Sequence, residues 1–572
     1  MKSKSIELKE LYDSIMNSTF LYHKDSFKTF TYEAATGKTT TICNALNDLY
    51  ITSPNTRTLI VTKLKVEQEM LKEKLGHKAK VINSNYKIKE ENLYAYPILI
   101  ITHELYRRLC KDYERRQFYI KGRTNLIIDE QLDLLEIREF NSIKADEMRA
   151  NLSKVRYSEG NYDYELNETY GKIIYQLNDI MHQNYQKEMK FINIEDDKIV
   201  DKVDLLKTML EKGDFPKGLR SKRQQMINEI DFIRHFYNNE YVIACNGRLY
   251  SFNNKIDYFM LNNNILLDAS GSFLELYNES DKFKVKDFGR IVNHSNTTLT
   301  FIEENSTTSA IERDSDKYFE GLIQYIKTNT EKGDKVLLIG REKVDGKETI
   351  EHLKELTKLN DRIIEFVNFD AMRGKNDWAD FNKCFIIHLP NLPFHHYVYQ
   401  YLYYTENKLL DEDLKLQKVD TNFGFVNSEI LENFRVTDVV SNIYQGLKRV
   451  NRKYNTNDKC ELYVVTNNKR IQELVIEQFK GLEDIRYCEI FGREYNNSKR
   501  LADSLTVERA KNINEYFNHM KKDSEIKKKE IRNSIGVKDN KQFLRALEYL
   551  GGNKYLKEVG IEEVGHRYIK VV

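Results

Sequence analysis

Cysteine is scarce in this 572-residue chain. The six present, Cys43, Cys110, Cys245, Cys384, Cys460 and Cys488, form no CxxC pair and no Cys/His spacing. That argues against structural zinc or an iron–sulfur cluster and predicts reduced thiols in a cytoplasmic protein. Proline is scarcer still, at five residues, and no Pro- or Gly/Ser-rich linker divides the chain. No apolar run approaches the ~18 residues of a membrane span. The N-terminal MKSKSIELKELYDSIM is amphipathic and acid-bearing, without the apolar core of an export signal. Net charge is only +2, so a surface for nucleic acid must be a local one. What remains is an ordinary globular composition, 40% apolar and 31% charged, in a chain too long for one core. Roughly three to four domains are expected.

The chain does have short, β-branched apolar runs set between helical stretches. Strands are predicted at 30–32, 58–62, 80–83, 98–102, 126–129 and 265–268, with a second set at 335–339, 363–367, 384–388 and 461–466. This alternation predicts an α/β protein with parallel sheets covered on both faces. Ligands of such sheets sit at the carboxyl ends of the strands. A polar, Tyr/Asn-rich stretch at 135–260 reads as a mostly helical insertion, and 393–440 as a second strand-poor excursion. Beyond about 490 the chain turns basic and helical, ahead of a small terminal unit.

Three motifs carry chemistry. The first is YEAATGKTTTICNAL, 32–46, between a predicted strand and a predicted helix. Backbone N–H groups at a helix start form an anion site, which Ala35, Thr36, Gly37, Lys38, Thr39 and Thr40 would supply. Lys38 would place a point charge on the β- and γ-phosphates and Thr39 would ligate Mg²⁺. Tyr32 stands where such loops usually begin with glycine, and a lone Gly-Lys-Thr triplet also suits a solvated turn. The second motif, NLIIDEQ, 125–131, is an apolar strand ending in two acids. Asp129 would hold the metal through water and Glu130 would polarise an attacking water; alone, the pair also fits a solvated strand end. The third, YQGLKRVNRKYN, 444–455, spaces Gln445, Arg449 and Arg452 along one helical face. Two arginines there would clamp a γ-phosphate, although a solvated basic face is the plainer reading of that segment by itself.

In order and content these motifs resemble the superfamily 2 helicases, the DEAD/DEAH-box group, over about 30–470. The resemblance implies two RecA-like parallel-sheet domains of the P-loop NTPase class, with ATP and Mg²⁺ between them. The 32–39 loop corresponds to motif I, the Asp129-Glu130 strand to motif II and 445–452 to motif VI, where Lys448 replaces a usual glycine. Weaker matches follow. LIVTKLKVEQEML, 59–71, is similar to motif Ia, and Thr102 falls in a nucleic-acid-contacting segment. ILLDASGS, 265–272, is similar to motif III. AMRGKNDW, 371–378, is similar to motif V, with Gly374 near the nucleotide and Arg373 toward nucleic acid. No adenine-reading glutamine motif precedes Lys38, which favours DNA over RNA as the track.

The expected organisation is a first RecA-like domain at 1–296 carrying the insertion, a second at 297–490, and a basic linker with a winged-helix-like unit at 491–572. In that unit Lys541, Arg545 and Lys554 would meet phosphates, or the unit would dock protein instead. His395-His396 lacks a third ligand at useful spacing, and Tyr399, Tyr401, Tyr403 and Tyr404 read as packing rather than base-stacking. The function expected is an ATP-dependent DNA helicase or translocase on single strands, with mobile-element or phage replication as a setting. The alternative is a nucleotide-gated DNA-binding regulator or replication initiator that does not translocate.

Overall fold

The computed structural model describes residues 2–17, 25–33, 36–86, 88–156, 162–184, 188–372, 377–419, 422–450, 459–489, 498–522, 524–535, 537, 540–550, 552–564 and 567–571. The chain divides into two compact units, Met1–Phe491 and Gly492–Val572.

The larger unit is built on two parallel sheets. In the first, the strands run in the order Phe283–Lys286, Phe27–Phe30, Asn263–Leu267, Asn125–Asp129, Thr58–Thr62, Ile98–Thr102 and Ala79–Ile82. Every pairing is parallel. In the second the order is Ile363–Asn368, Lys335–Gly340, Lys383–Ile386, Cys460–Val465, Thr297–Ile302 and Asp484–Cys488, again all parallel. Both faces of each sheet are buried, and so the central strands read as unbroken apolar runs such as Leu126–Ile128. Strands at 58–62 and 98–102 fall where the sequence puts them, and most others within one to three residues.

Three strands of these two sheets escaped the sequence reading. Phe283–Lys286 and Asp484–Cys488 are sheet edges, where FKVK and DIRYC mix charges with apolar residues. Charged edges block pairing with other chains, and the same charges hide the strand from a search for apolar runs. Thr297–Ile302 lies inside its sheet but is threonine-rich.

The insertion is mostly helical, as the sequence predicts, and also holds a sheet that its pattern did not announce. Its helices, among them Tyr162–Gln183 and Ile199–Lys212, pack on a four-stranded antiparallel sheet ordered Glu136–Phe140, Arg248–Asn253, Val242–Cys245, Lys190–Ile192. The helices and one sheet face share an apolar core of their own. The sheet's other face receives the excursion from the second lobe. Helix Phe394–Thr405 buries Tyr397, Tyr399, Tyr401, Tyr403 and Tyr404. The Tyr399 hydroxyl donates to the Tyr250 carbonyl at 2.6 Å, Tyr403 to Ile256 at 2.7 Å and Tyr404 to the Asp133 carboxylate at 2.8 Å. A tyrosine row suits this role, because each ring fills volume while its hydroxyl satisfies a buried acceptor. These tyrosines are packing. His395 stacks on Tyr250 with ring centroids 3.8 Å apart.

In the second lobe His388 is fully buried. Burial holds its imidazole down at about 3, so it is neutral in the folded chain. An unfolded imidazole takes its proton near pH 6.5. The folded pKa is the lower one, so His388 contributes stability above about pH 6.5 that is lost as pH falls. The loss is about 1.4 kcal/mol per pH unit. His388→Gln is expected to flatten the fall in Tm between pH 7 and pH 5. Equal slopes in variant and wild type would remove His388 from the acid response.

The smaller unit holds helices Ser498–His519, Lys528–Ser534, Asn540–Tyr549 and Gly552–Glu558 and an antiparallel sheet ordered Glu525–Lys527, Arg567–Lys570, Ile561–Val564. Phe517, Phe543 and Tyr568 are at its core. Lys541, Arg545 and Lys554 stand on its helices, with side chains outside the described set. Among the described residues no helix is long and apolar enough to cross a membrane.

Candidate functional site

The Phe27–Phe30 strand delivers the chain to the Gly-Lys-Thr loop at the carboxyl edge of the first sheet. Tyr32 is buried and stacks on Phe288 with centroids 4.2 Å apart. Its bulk fills the core there, a role glycine has no atoms for. Gly37 has a φ of 99°, which glycine adopts without strain. From it the chain enters helix Lys38–Thr52 directly. Lys38, Thr39 and Thr40 therefore carry first-turn amides with no acceptor inside the helix. The Lys38 ammonium donates to the Tyr32 carbonyl at 2.8 Å, and the Thr36 hydroxyl to the Glu33 carbonyl at 2.9 Å. Ala35 lies outside the described residues.

Asp129 ends its strand, and Glu130 follows with a φ of 66°. A side-chain-bearing residue in this region is strained. Hydrogen bonds hold it: the Glu130 amide donates to Leu267 at 2.9 Å, and His103 Nε2 donates to the Asp129 carbonyl at 2.8 Å. Burial keeps the His103 imidazole neutral, down at about 4. Nothing in the sequence marked His103; the contact exists only because the strands on either side of Thr58–Thr62 end at the same sheet edge and bring 103 and 129 together.

The acids crowd one another. Burial pushes Asp129 up to about 6, with Lys38 pulling down and Glu130 and Asp268 pushing further up. Asp268 is raised chiefly by burial, against hydrogen bonds from the Ser270 amide and Tyr277 hydroxyl, each at 2.8 Å. Glu67, on helix Lys65–Leu75, is pushed up to about 7 by burial and then by Asp129 and Glu130, with Arg449 opposing. Asp268 and Glu67 belong to this group although the sequence reading gave them no part in it. Four carboxyls sharing one low-dielectric corner make a site that favours added positive charge. Gly271 closes the corner: a Cβ there would lie 3.1 Å from both Thr29 and Thr31.

The second lobe meets this corner. Helix Glu429–Leu447 carries Gln445, whose amide donates to Ser270 Oγ at 3.2 Å. The helix stops at Leu447, its end tightened by the Arg449 amide bonding back to Gly446 at 3.0 Å. The expected continuous face of Gln445, Arg449 and Arg452 is corrected accordingly: Arg449 lies beyond the helix, and Arg452 is outside the described residues. Off the helix, Arg449 still reaches the acids. Its guanidinium is 4.0 Å from Glu130 Oε1, on a side chain 7% exposed. Arg373 and Gly374 also lie outside the described residues.

Thr102 is the N-cap of helix His103–Lys111, accepting from the Leu105 amide. It lines a groove of about 870 Å³ between the lobes, with Lys63, Lys65 and Arg107 on its own side and Gln400 and Asp438 opposite.

No family model matches the sequence, and no curated protein does. Solved structures do match. An apo XPD structure aligns over 86% of this chain and 100% of its own at 13% identity, with a TM-score of 0.51. The chain has an XPD-like fold. Its two parallel sheets are RecA-like domains, and the inter-lobe corner of this XPD-like core is the cleft between them. An XPD helicase structure aligns over 84% of this chain and 99% of its own at 12% identity and a TM-score of 0.47. The helicase MrfA bound to DNA aligns over 98% of this chain and 56% of its own at 10% identity and a TM-score of 0.33.

Proposed function

We propose that the protein is an ATP-dependent DNA helicase or translocase of the superfamily 2 kind. The observation that carries this reading is the meeting of Arg449 from one lobe with Glu130 on the other, 4.0 Å apart. A motor that hydrolyses ATP between RecA-like domains needs its arginine and its water-polarising acid to converge in that cleft. Ala35 to Thr40 would wrap the phosphates, with Lys38 as the charge on them. Thr39 and Asp129 would hold Mg²⁺. Among the described residues no group of three or more His, Cys, Asp or Glu side chains forms a self-sufficient metal site. That donor set fits magnesium, which takes its remaining oxygens from phosphate and water. When bound, the metal would supply positive charge to the phosphates.

Glu130 would orient and polarise the attacking water, while Gln445, bonded to Ser270, would couple the cleft to the strand-end loop after 267. Arg449 and Arg452 would stabilise charge that develops on the γ-phosphate. Single-stranded DNA would lie in the groove of Lys63, Lys65, Thr102 and Arg107, with Arg373 and Gly374 from the opposite lobe completing the cleft. The helix, strand, helix, helix, helix and hairpin order of the terminal unit supports a winged-helix-like reading, with Lys541, Arg545 and Lys554 toward phosphates.

The test is ATP hydrolysis with and without single-stranded DNA, beside strand displacement. Stimulation with displacement supports a helicase, and stimulation alone a translocase. ATP binding without DNA-dependent turnover would leave a nucleotide-gated DNA-binding protein. Glu130→Gln is expected to bind ATP normally and hydrolyse it about 10²–10⁴-fold more slowly. Unchanged turnover would reduce Glu130 to a strand-end acid.

A further inference from the structure

Glu33 opens the phosphate loop and is 1% exposed. Its carboxylate gathers donors from two other elements. Oε2 accepts the amides of Ile291 and Val292, each at 2.8 Å. Those residues lie in the segment joining the last strand of the first sheet, Phe283–Lys286, to the first of the second, Thr297–Ile302. Oε1 accepts the Tyr444 hydroxyl at 3.3 Å and faces the Lys448 ammonium at 3.5 Å. Lys448 also donates to His294 Nε2 at 3.2 Å, and Arg290 lies over the Tyr444 ring, 4.7 Å from its centroid. On its main-chain side, Glu33 accepts the Thr36 hydroxyl of the loop itself.

A buried carboxylate that loses a donor pays a desolvation cost that an exposed one does not. The loop, the inter-lobe segment and the helix end therefore hold their mutual positions at Glu33. Lys448 is the residue immediately before Arg449, so whatever fixes its ammonium fixes the approach of the guanidinium to Glu130. Resting on the ATPase reading above, we propose that Glu33 is a positioning residue. Through Lys448 and the 291–292 amides it transmits occupancy of the phosphate loop to the inter-lobe segment and sets where Arg449 stands.

Glu33→Gln keeps the shape and an acceptor oxygen and removes the charge opposite Lys448; Lys448→Met removes the charge from the other side and alters a residue at the rim of the network. The expected result for each is a fall in kcat of about 10²-fold, the scale of a small misplacement of a reacting group. KM for ATP should stay near the wild-type value, and the double variant should be no slower than either single one. Wild-type kcat in either variant, or losses that multiply in the double variant, would overturn the proposal. So would a lowered Tm with unchanged turnover per folded molecule, which is what a structural ion pair gives.

A second readout does not depend on hydrolysis. Fluorophores at exposed Ile51 and Ile350 report the distance between the lobes. A non-hydrolysable ATP analogue should change that distance in wild type and leave it unchanged in Glu33→Gln. The same change in both proteins, or none in wild type, would overturn the coupling. Wild type that moves with the analogue yet never hydrolyses ATP would instead sink the ATPase reading, with the distances still deciding the role of Glu33.

Discussion

Lys38→Ala is expected to reduce ATP hydrolysis to the background of the assay while the protein remains folded. The ammonium bonds to the Tyr32 carbonyl, at the start of its own loop, so its loss disturbs the loop more than either sheet. In the proposed complex it is the positive charge on the β- and γ-phosphates from the first lobe, in a corner otherwise crowded with Asp129, Glu130, Asp268 and Glu67. Removing it leaves those acids facing a polyanion. Binding and turnover should both fail, in contrast to Glu130→Gln, where only turnover does. The measurement is steady-state phosphate release beside equilibrium binding of a labelled nucleotide, with Tm as the control for folding. Hydrolysis at the wild-type rate would show that 32–46 is not a phosphate loop.

Arg449→Ala is expected to lower DNA-stimulated turnover at saturating ATP by about 10³–10⁵-fold, the range set by arginine fingers in phosphoryl transfer. Much of the nucleotide affinity should survive, because charge on the γ-phosphate grows only as the bond breaks. Arg449→Lys should rescue little. An ammonium lacks the planar fork that meets two oxygens at once, and its shorter reach would have to cover the 4.0 Å now spanned to Glu130. Full stimulation in Arg449→Ala would refute the two-lobe clamp and leave the Glu130 contact as an ion pair between lobes with no part in turnover.

Much of this architecture was legible in the sequence, for identifiable reasons. Central strands of a parallel sheet are buried on both faces, so Thr58–Thr62 and Ile98–Thr102 announce themselves as apolar runs. Gly37-Lys38-Thr39 and Asp129-Glu130 were legible because each sits in a local order: a turn, a helix start and a strand end. The edge strands and the antiparallel sheet inside the insertion were not. Most of their residues alternate or carry charge, and the buried run Val242–Ala244 is only three residues long.

The sequence by itself determined the α/β class, a Gly-Lys-Thr loop at a helix start, paired acids at a strand end and an arginine-bearing segment in the second half of the chain. The tertiary structure decided which groups keep company. It brought His103 under Asp129, added Asp268 and Glu67 to the acids, ended the 429–447 helix short of Arg449, and made Glu33 a meeting point for Ile291, Val292, Tyr444 and Lys448. It also sent Tyr399, Tyr403 and Tyr404 into the first lobe rather than toward a base. The division has a physical cause. Backbone geometry and burial write themselves into neighbouring residues, whereas a contact between positions hundreds of residues apart depends on where separate sheets and helices come to rest.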